Sequence, residues 1–129
     1  MNDRKTLMAA GIFGTVGVGL GAFGAHGLRD ILLERGMANT WETAVRYDLF
    51  HAFGLLVVAL WLRQNNSRDS SLFPWVARSW VLGIILFSGS LYWLALGGPR
   101  WLGPVTPLGG VSFMAGWILF VVAAARKNA

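Results

Sequence analysis

The sequence predicts an all-α integral membrane protein, a four-transmembrane-helix bundle with a short interfacial helix between the first two spans. Hydrophobic residues make up 55% of the 129 and charged residues only 13%, against about a quarter charged in an average soluble domain. Mean hydropathy is +0.54, and a water-soluble domain this small could not hide so much apolar surface, so lipid covers the rest. The apolar residues also fall into runs divided by charged or turn-rich segments. The chain reads as one transmembrane domain over residues 1–129, with spans at about 7–26, 44–62, 75–96 and 107–125.

The first span is uncharged from Leu7 to Ala25 and follows Arg4 and Lys5. A secretory signal would have a shorter apolar region, about 7–15 residues, and further apolar runs follow here, so the first is read as a retained helix. Between 27 and 40, Leu28, Ile31 and Leu32 share a helix face, and Gly36 is placed to stop that helix. Asn39 and Glu42 have capping-box spacing, which predicts a second helix starting near Thr40.

The second span is uncharged only from Leu49 to Leu62, 14 residues. That is about 21 Å of helix against a hydrocarbon core of about 30 Å. The span must borrow residues before Leu49, which draws Tyr47, Asp48 and His51 to the membrane boundary or inside it.

Arg63 to Ser71 is a hydrophilic loop, and Pro74 stands where a helix begins without losing a needed N–H. Gly97 to Pro107 is turn-rich and leads into the fourth span, which Arg126 and Lys127 close. Arg4, Lys5, Arg63, Arg68, Arg78, Arg126 and Lys127 fall on one side, and Arg29, Arg35, Arg46 and Arg100 on the other. The bias puts both termini in the cytoplasm. Trp41, Trp93 and Trp101 are expected at one interface, Trp61, Trp75 and Trp80 at the other, and Trp117 between helices in mid-span.

Small residues predict the packing. Gly14, Gly17, Gly21 and Gly24 form a stripe on the first helix, Gly83, Ser90 and Gly97 recur every seven in the third, and Gly109, Ser112 and Gly116 line the fourth. In lipid, such residues let backbones approach closely.

GAFGAHGL, Gly21 to Leu28, sets a histidine among glycines and alanines where the first helix leaves the membrane. The second re-enters from that side, and Tyr47, Asp48 and His51 share one of its faces. A polar cluster of His26, Tyr47, Asp48 and His51 is therefore expected, because ionisable groups at that depth turn inward to find partners. It reads as a hydrogen-bonded knot, a proton relay or substrate contact, or a haem or metal site through His26 and His51. Zinc favours four ligands, which the cluster does not supply, so no metal and no cofactor are predicted. The chain has no cysteine, and no catalytic constellation stands out. No basic face suits nucleic acid.

The stretches GAFGAHGL, TAVRYDLFHAFGLL, FSGSLYWLALGG and GPVTPLGGVSFMAGWIL resemble, in order and over nearly the whole chain, the small membrane family known as domain of unknown function 423. Its eukaryotic relatives are called transmembrane protein 256. The resemblance implies a multi-pass protein of the bacterial cytoplasmic (inner) membrane, and it maps the family's polar positions to His26, Tyr47, His51, Ser88, Ser90, Tyr92, Thr106 and Pro107. Asp48 departs from it, standing where the resemblance implies a neutral polar residue. It implies no reaction. The function expected is that of a non-enzymatic accessory or interaction protein in the lipid bilayer, with a membrane-protein partner or a homo-oligomer. The alternatives are a small transporter or channel using the polar cluster, and a haem- or metal-binding redox subunit.

Overall fold

The computed structural model describes residues 1–65 and 71–126, and among them every regular element is helical. Helix α1 spans Asp3–Ala25, α2 Arg29–Glu34, α3 Ala38–Gln64, α4 Phe73–Ala95 and α5 Leu102–Ala125. Four of these, α1, α3, α4 and α5, are long and apolar enough to cross a membrane. Of the cations behind the expected orientation, Arg68 and Lys127 lie outside the described residues.

α3 starts at Ala38, earlier than expected, and runs for 27 residues. The cause is the turn before it. Gly36 has φ +67°, its N–H reaches the Leu33 carbonyl at 3.1 Å, and the Met37 N–H reaches Leu32 at 2.8 Å. This Schellman closure ends α2 and passes the chain straight into α3. Asn39 is therefore already helical, Met37 is the N-cap, and the capping box expected from Asn39 and Glu42 does not form. Gly97, expected on a packing face, instead closes α4 in the same way, with φ +97° and the Gly98 N–H on the Trp93 carbonyl at 2.8 Å. Pro74 sits in the first turn of α4, as its spacing predicted.

The backbones pack α1 against α3, α3 against α4, and α4 against α5, and side chains of α5 also reach α3 at His51. Glycines mark each seam. Gly17, Gly21 and Gly24 of α1 receive Leu49, Val45 and Trp41 of α3; Gly54 receives Trp80; Gly83, Gly109 and Gly116 seat Phe113, Phe87 and Trp80 between α4 and α5. Gly14 is the exception among the expected packing glycines, with open space beside it. Gly109 meets backbone rather than a side chain, and an added Cβ there would lie 2.7 Å from the Phe87 Cα. Ser112, on the same α5 stripe, donates to the Ser79 carbonyl at 2.7 Å.

Large apolar side chains face outward along all four spans, Phe53 and Val121 being 67% and 66% exposed. Soluble monomers rarely expose contiguous apolar patches of this extent. Lipid is the medium that accommodates them.

The tryptophans divide differently from the expected belts. Trp75, Trp93 and Trp101 are exposed, but Trp41 and Trp80 are buried, Trp80 between glycines of α3 and α5. Trp117, expected between helices, is 47% exposed. At the end where α1 begins and α3 stops, Arg63 pairs with Asp3 at 3.1 Å.

Candidate functional site

The borrowing forced on the second span has the consequence the sequence implied: Asp48 is 0% and His51 4% exposed. Ala44, Asp48 and His51 recur at helical spacing on α3, and α4 answers with Ser88 and Tyr92, also one turn apart. Two cross-helix bonds result. The Ser88 hydroxyl donates to the Ala44 carbonyl at 2.7 Å, and the Tyr92 hydroxyl donates to Asp48 Oδ2 at 2.9 Å. Gly17 of α1 closes the other side of the Asp48 carboxyl. Asp48 Oδ1 has no hydrogen-bond partner among the described residues.

A π-helical turn at Ile84–Ser88 gives α4 this register. Its closing bond runs from the Gly89 N–H to the Ile84 carbonyl, five residues back. The wider turn shifts the faces that follow it. Before it, Trp80 and Gly83 meet their neighbours' glycine and aromatic surfaces; at its end, Ser88 meets α3 while Phe87 meets Gly109 of α5.

His51 is held from both nitrogens. Nδ1 lies 2.7 Å from the Tyr47 carbonyl, and Nε2 lies 3.1 Å from the Trp117 indole nitrogen. An indole N–H only donates, so Nε2 accepts, and Nδ1 carries the proton it donates to Tyr47; the tautomer follows from the partners. The imidazole stacks on Phe113, with centroids 3.7 Å apart. Trp117 therefore presents its flank to lipid and its N–H to the interior. Trp80, with no such acceptor, leaves its buried N–H unpaired among the described residues.

His26 does not join this group, contrary to the expected four-residue cluster. It is the exposed C-cap of α1. α1 and α3 run antiparallel with Gly17 beside Asp48. His26 lies nine residues past Gly17 and His51 three past Asp48, in opposite directions along the seam, an axial separation of about 18 Å at 1.5 Å per residue. No single haem or metal ion bridges that, which removes the site expected through both histidines. Tyr47 contributes its backbone carbonyl, while its half-exposed ring packs on Phe87 at 4.8 Å. The glycines around His26 serve Trp41 instead: its ring fills the gap at Gly24 and its indole N–H donates to the Leu20 carbonyl at 2.8 Å.

Ser90 and Thr106 form a second polar contact, 2.6 Å between hydroxyl oxygens across α4 and α5. Thr106 also lies 3.3 Å from the Leu102 carbonyl, and the next residue, Pro107, sits inside α5. Among the described residues, no three His, Asp or Glu side chains gather where they could hold a metal ion. Trp117 escaped the sequence reading as a partner because its separation of 66 residues from His51 carries no local periodicity. The signal for the Asp48–Tyr92 bond was present, as Asp48 and His51 three apart on α3 and Ser88 and Tyr92 four apart on α4, but nothing local matched one pair to the other.

The family model described as protein of unknown function (DUF423) matches residues 20–110. The chain belongs to the DUF423 family. A UPF0382 membrane protein of Staphylococcus epidermidis is 46% identical over 106 residues, 82% of this chain and 83% of the relative. The UPF0382 membrane protein YwdK of Bacillus subtilis is 46% identical over 111 residues, 84% and 86% of the two chains. The UPF0382 inner membrane protein YgdD of Escherichia coli K12 is 43% identical over 128 residues, 98% and 93%. No solved structure matches. The DUF423 match contains the Ser88–Ala44 and Tyr92–Asp48 bonds and the turn at Gly36, while Trp117 and most of α1 lie beyond it.

Proposed function

We propose that this DUF423 protein is a non-enzymatic accessory or interaction protein of the bacterial cytoplasmic membrane, with both termini in the cytoplasm. The observation that carries the reading is the division of the α1 glycines. Gly17, Gly21 and Gly24 are filled by α3, whereas a Cβ added at Gly11 or Gly14 would meet nothing within 4 Å. Small residues left open along a membrane helix allow another backbone to approach. Beside them, Leu7 and Ala10 of α1 and Ala52 and Phe53 of α3 border an apolar groove of about 480 Å³. A transmembrane helix of another protein, or of a second copy, fits this face. The buried polar groups support the same reading, since Ser88, Tyr92 and Trp117 spend their donors on other helices.

Native mass spectrometry of nanodisc extracts tests the proposal, together with photocrosslinking from position 14. A stoichiometric protein partner, lost when Gly11 and Gly14 become Leu, is the expected result. A bare monomer with no crosslink would overturn it. Reporter fusions at Ala129 and within residues 65–70 are expected to read cytoplasmic. One observation favours a second reading, a small proton or cation carrier: the Oδ1 of fully buried Asp48, which has no partner among the described residues. Ion flux in liposomes that Asp48→Asn abolishes would establish that carrier in place of the interaction protein.

A further inference from the structure

A second cleft opens at the other end of α1, away from the polar core. It measures about 530 Å³ and lies between the end of α1, the short helix α2 and the start of α3, within the size range of small-ligand sites. Leu32, Leu33, Ala38 and Val45 form its apolar wall. The polar atom in that wall is already engaged, the Trp41 N–H being bonded to the Leu20 carbonyl. What remains is an apolar slot.

Its lining also carries charge, Arg29 from α2 and Arg46 and Glu42 from α3. Glu42 and Arg46 are one turn apart, the spacing that commonly pairs, yet among the described residues the ion pair formed is Arg63 with Asp3, at the opposite end of the molecule. Both guanidiniums are exposed, and among the described residues neither has a partner. Two arginines and one glutamate leave the cleft one positive charge in excess. α2 joins two membrane-spanning helices, so the cleft lies at the membrane boundary, where the phosphates of lipid headgroups lie against the hydrocarbon core. Arginines near the ends of transmembrane helices extend to the headgroup level, and the arginine fork matches phosphate in geometry.

We propose that the α1–α2–α3 cleft binds one anionic phospholipid of the phosphatidylglycerol class. Its phosphodiester rests on Arg29 and Arg46, a headgroup hydroxyl donates to Glu42, and an acyl chain lies along Leu33, Ala38 and Val45. The single negative charge balances the cleft's excess.

The test uses the full chain in a mild detergent, titrated with phosphatidylglycerol or phosphatidylcholine and read by native mass spectrometry. One phosphatidylglycerol molecule is expected to be retained with a preference of about tenfold or more, because phosphatidylcholine shares the phosphodiester but sets a trimethylammonium beside the arginines and has no headgroup hydroxyl for Glu42. Arg29→Gln with Arg46→Gln is expected to abolish the preference, while Arg100→Gln, a charge change outside the cleft, leaves it intact. If the double variant does not fold, Arg46→Gln alone is expected to lower the preference. Equal retention of the two lipids, a preference that survives loss of the arginines, or displacement of the lipid by millimolar inorganic phosphate would each overturn the proposal.

Discussion

Replacing Tyr92 with Phe removes one oxygen and keeps the ring, whose edge meets Trp41 at 5.0 Å between centroids. Asp48 then loses its bond at Oδ2 while Oδ1 already has none among the described residues. In water-soluble proteins a hydrogen bond to a charged group is worth about 1.5–3 kcal/mol. Between membrane helices the average is about 0.6 and the maximum about 1.7 kcal/mol, because the unfolded chain in the membrane also finds partners. The membrane scale governs here, and complete burial of Asp48 puts the loss at its upper end, about 1.5 kcal/mol for Tyr92→Phe. Ser88→Ala breaks a bond that is no longer, 2.7 Å, but the Ala44 carbonyl it frees keeps its place in the α3 backbone ladder. That loss should stay near the membrane average, about 0.6 kcal/mol. Asp48→Leu removes the group that needs the donor, so the cycle with Tyr92→Phe should show a coupling of about 1 kcal/mol. Reversible unfolding in mixed micelles, followed by helical circular dichroism, measures the four species of the cycle and Ser88→Ala. A Tyr92→Phe loss no greater than that of Ser88→Ala, or strictly additive single changes, would refute the assignment.

Two glycine substitutions should behave oppositely: Gly109→Ala meets the Phe87 backbone and should cost about 1–3 kcal/mol by overpacking, whereas Gly14→Ala meets nothing within 4 Å and should be neutral or stabilising by up to about 1 kcal/mol. The same unfolding titration reads both. His26→Ala should leave the melting temperature in detergent essentially unchanged, since the side chain is exposed, while His51→Ala should lower it by removing the bonds to Tyr47 and Trp117 and the stack on Phe113. Equal effects of the two histidine changes would contradict the separation of the sites. Trp117→Phe should cost about 1 kcal/mol and shift the His51 ring nitrogen resonances, because Nε2 loses its donor; unchanged spectra would show that the indole does not hold the imidazole.

The parts of this protein legible in its sequence are those that one helix and its solvent decide. Lipid sets the length of each apolar run, so four spans follow from hydropathy, and the shortness of the uncharged run from Leu49 to Leu62 is enough to bury Asp48 and His51. Gly36 stops α2 because a left-handed residue is needed there, which is again a local backbone requirement. Partner choice is not local. Whether Asp48 finds Tyr92, His51 finds Trp117 and His26 finds neither depends on the axial offset and rotation of whole helices, and the π turn at Ile84–Ser88 resets that rotation within α4. The same offset decides which glycines carry a neighbour: Gly14 and Gly17 are indistinguishable in spacing, but the α1–α3 contact covers Gly17 and leaves Gly14 bare. A periodic stripe names a face, and only the packed structure says how far along it the next helix lies, because side-chain interlock across the seam is a property of two surfaces together.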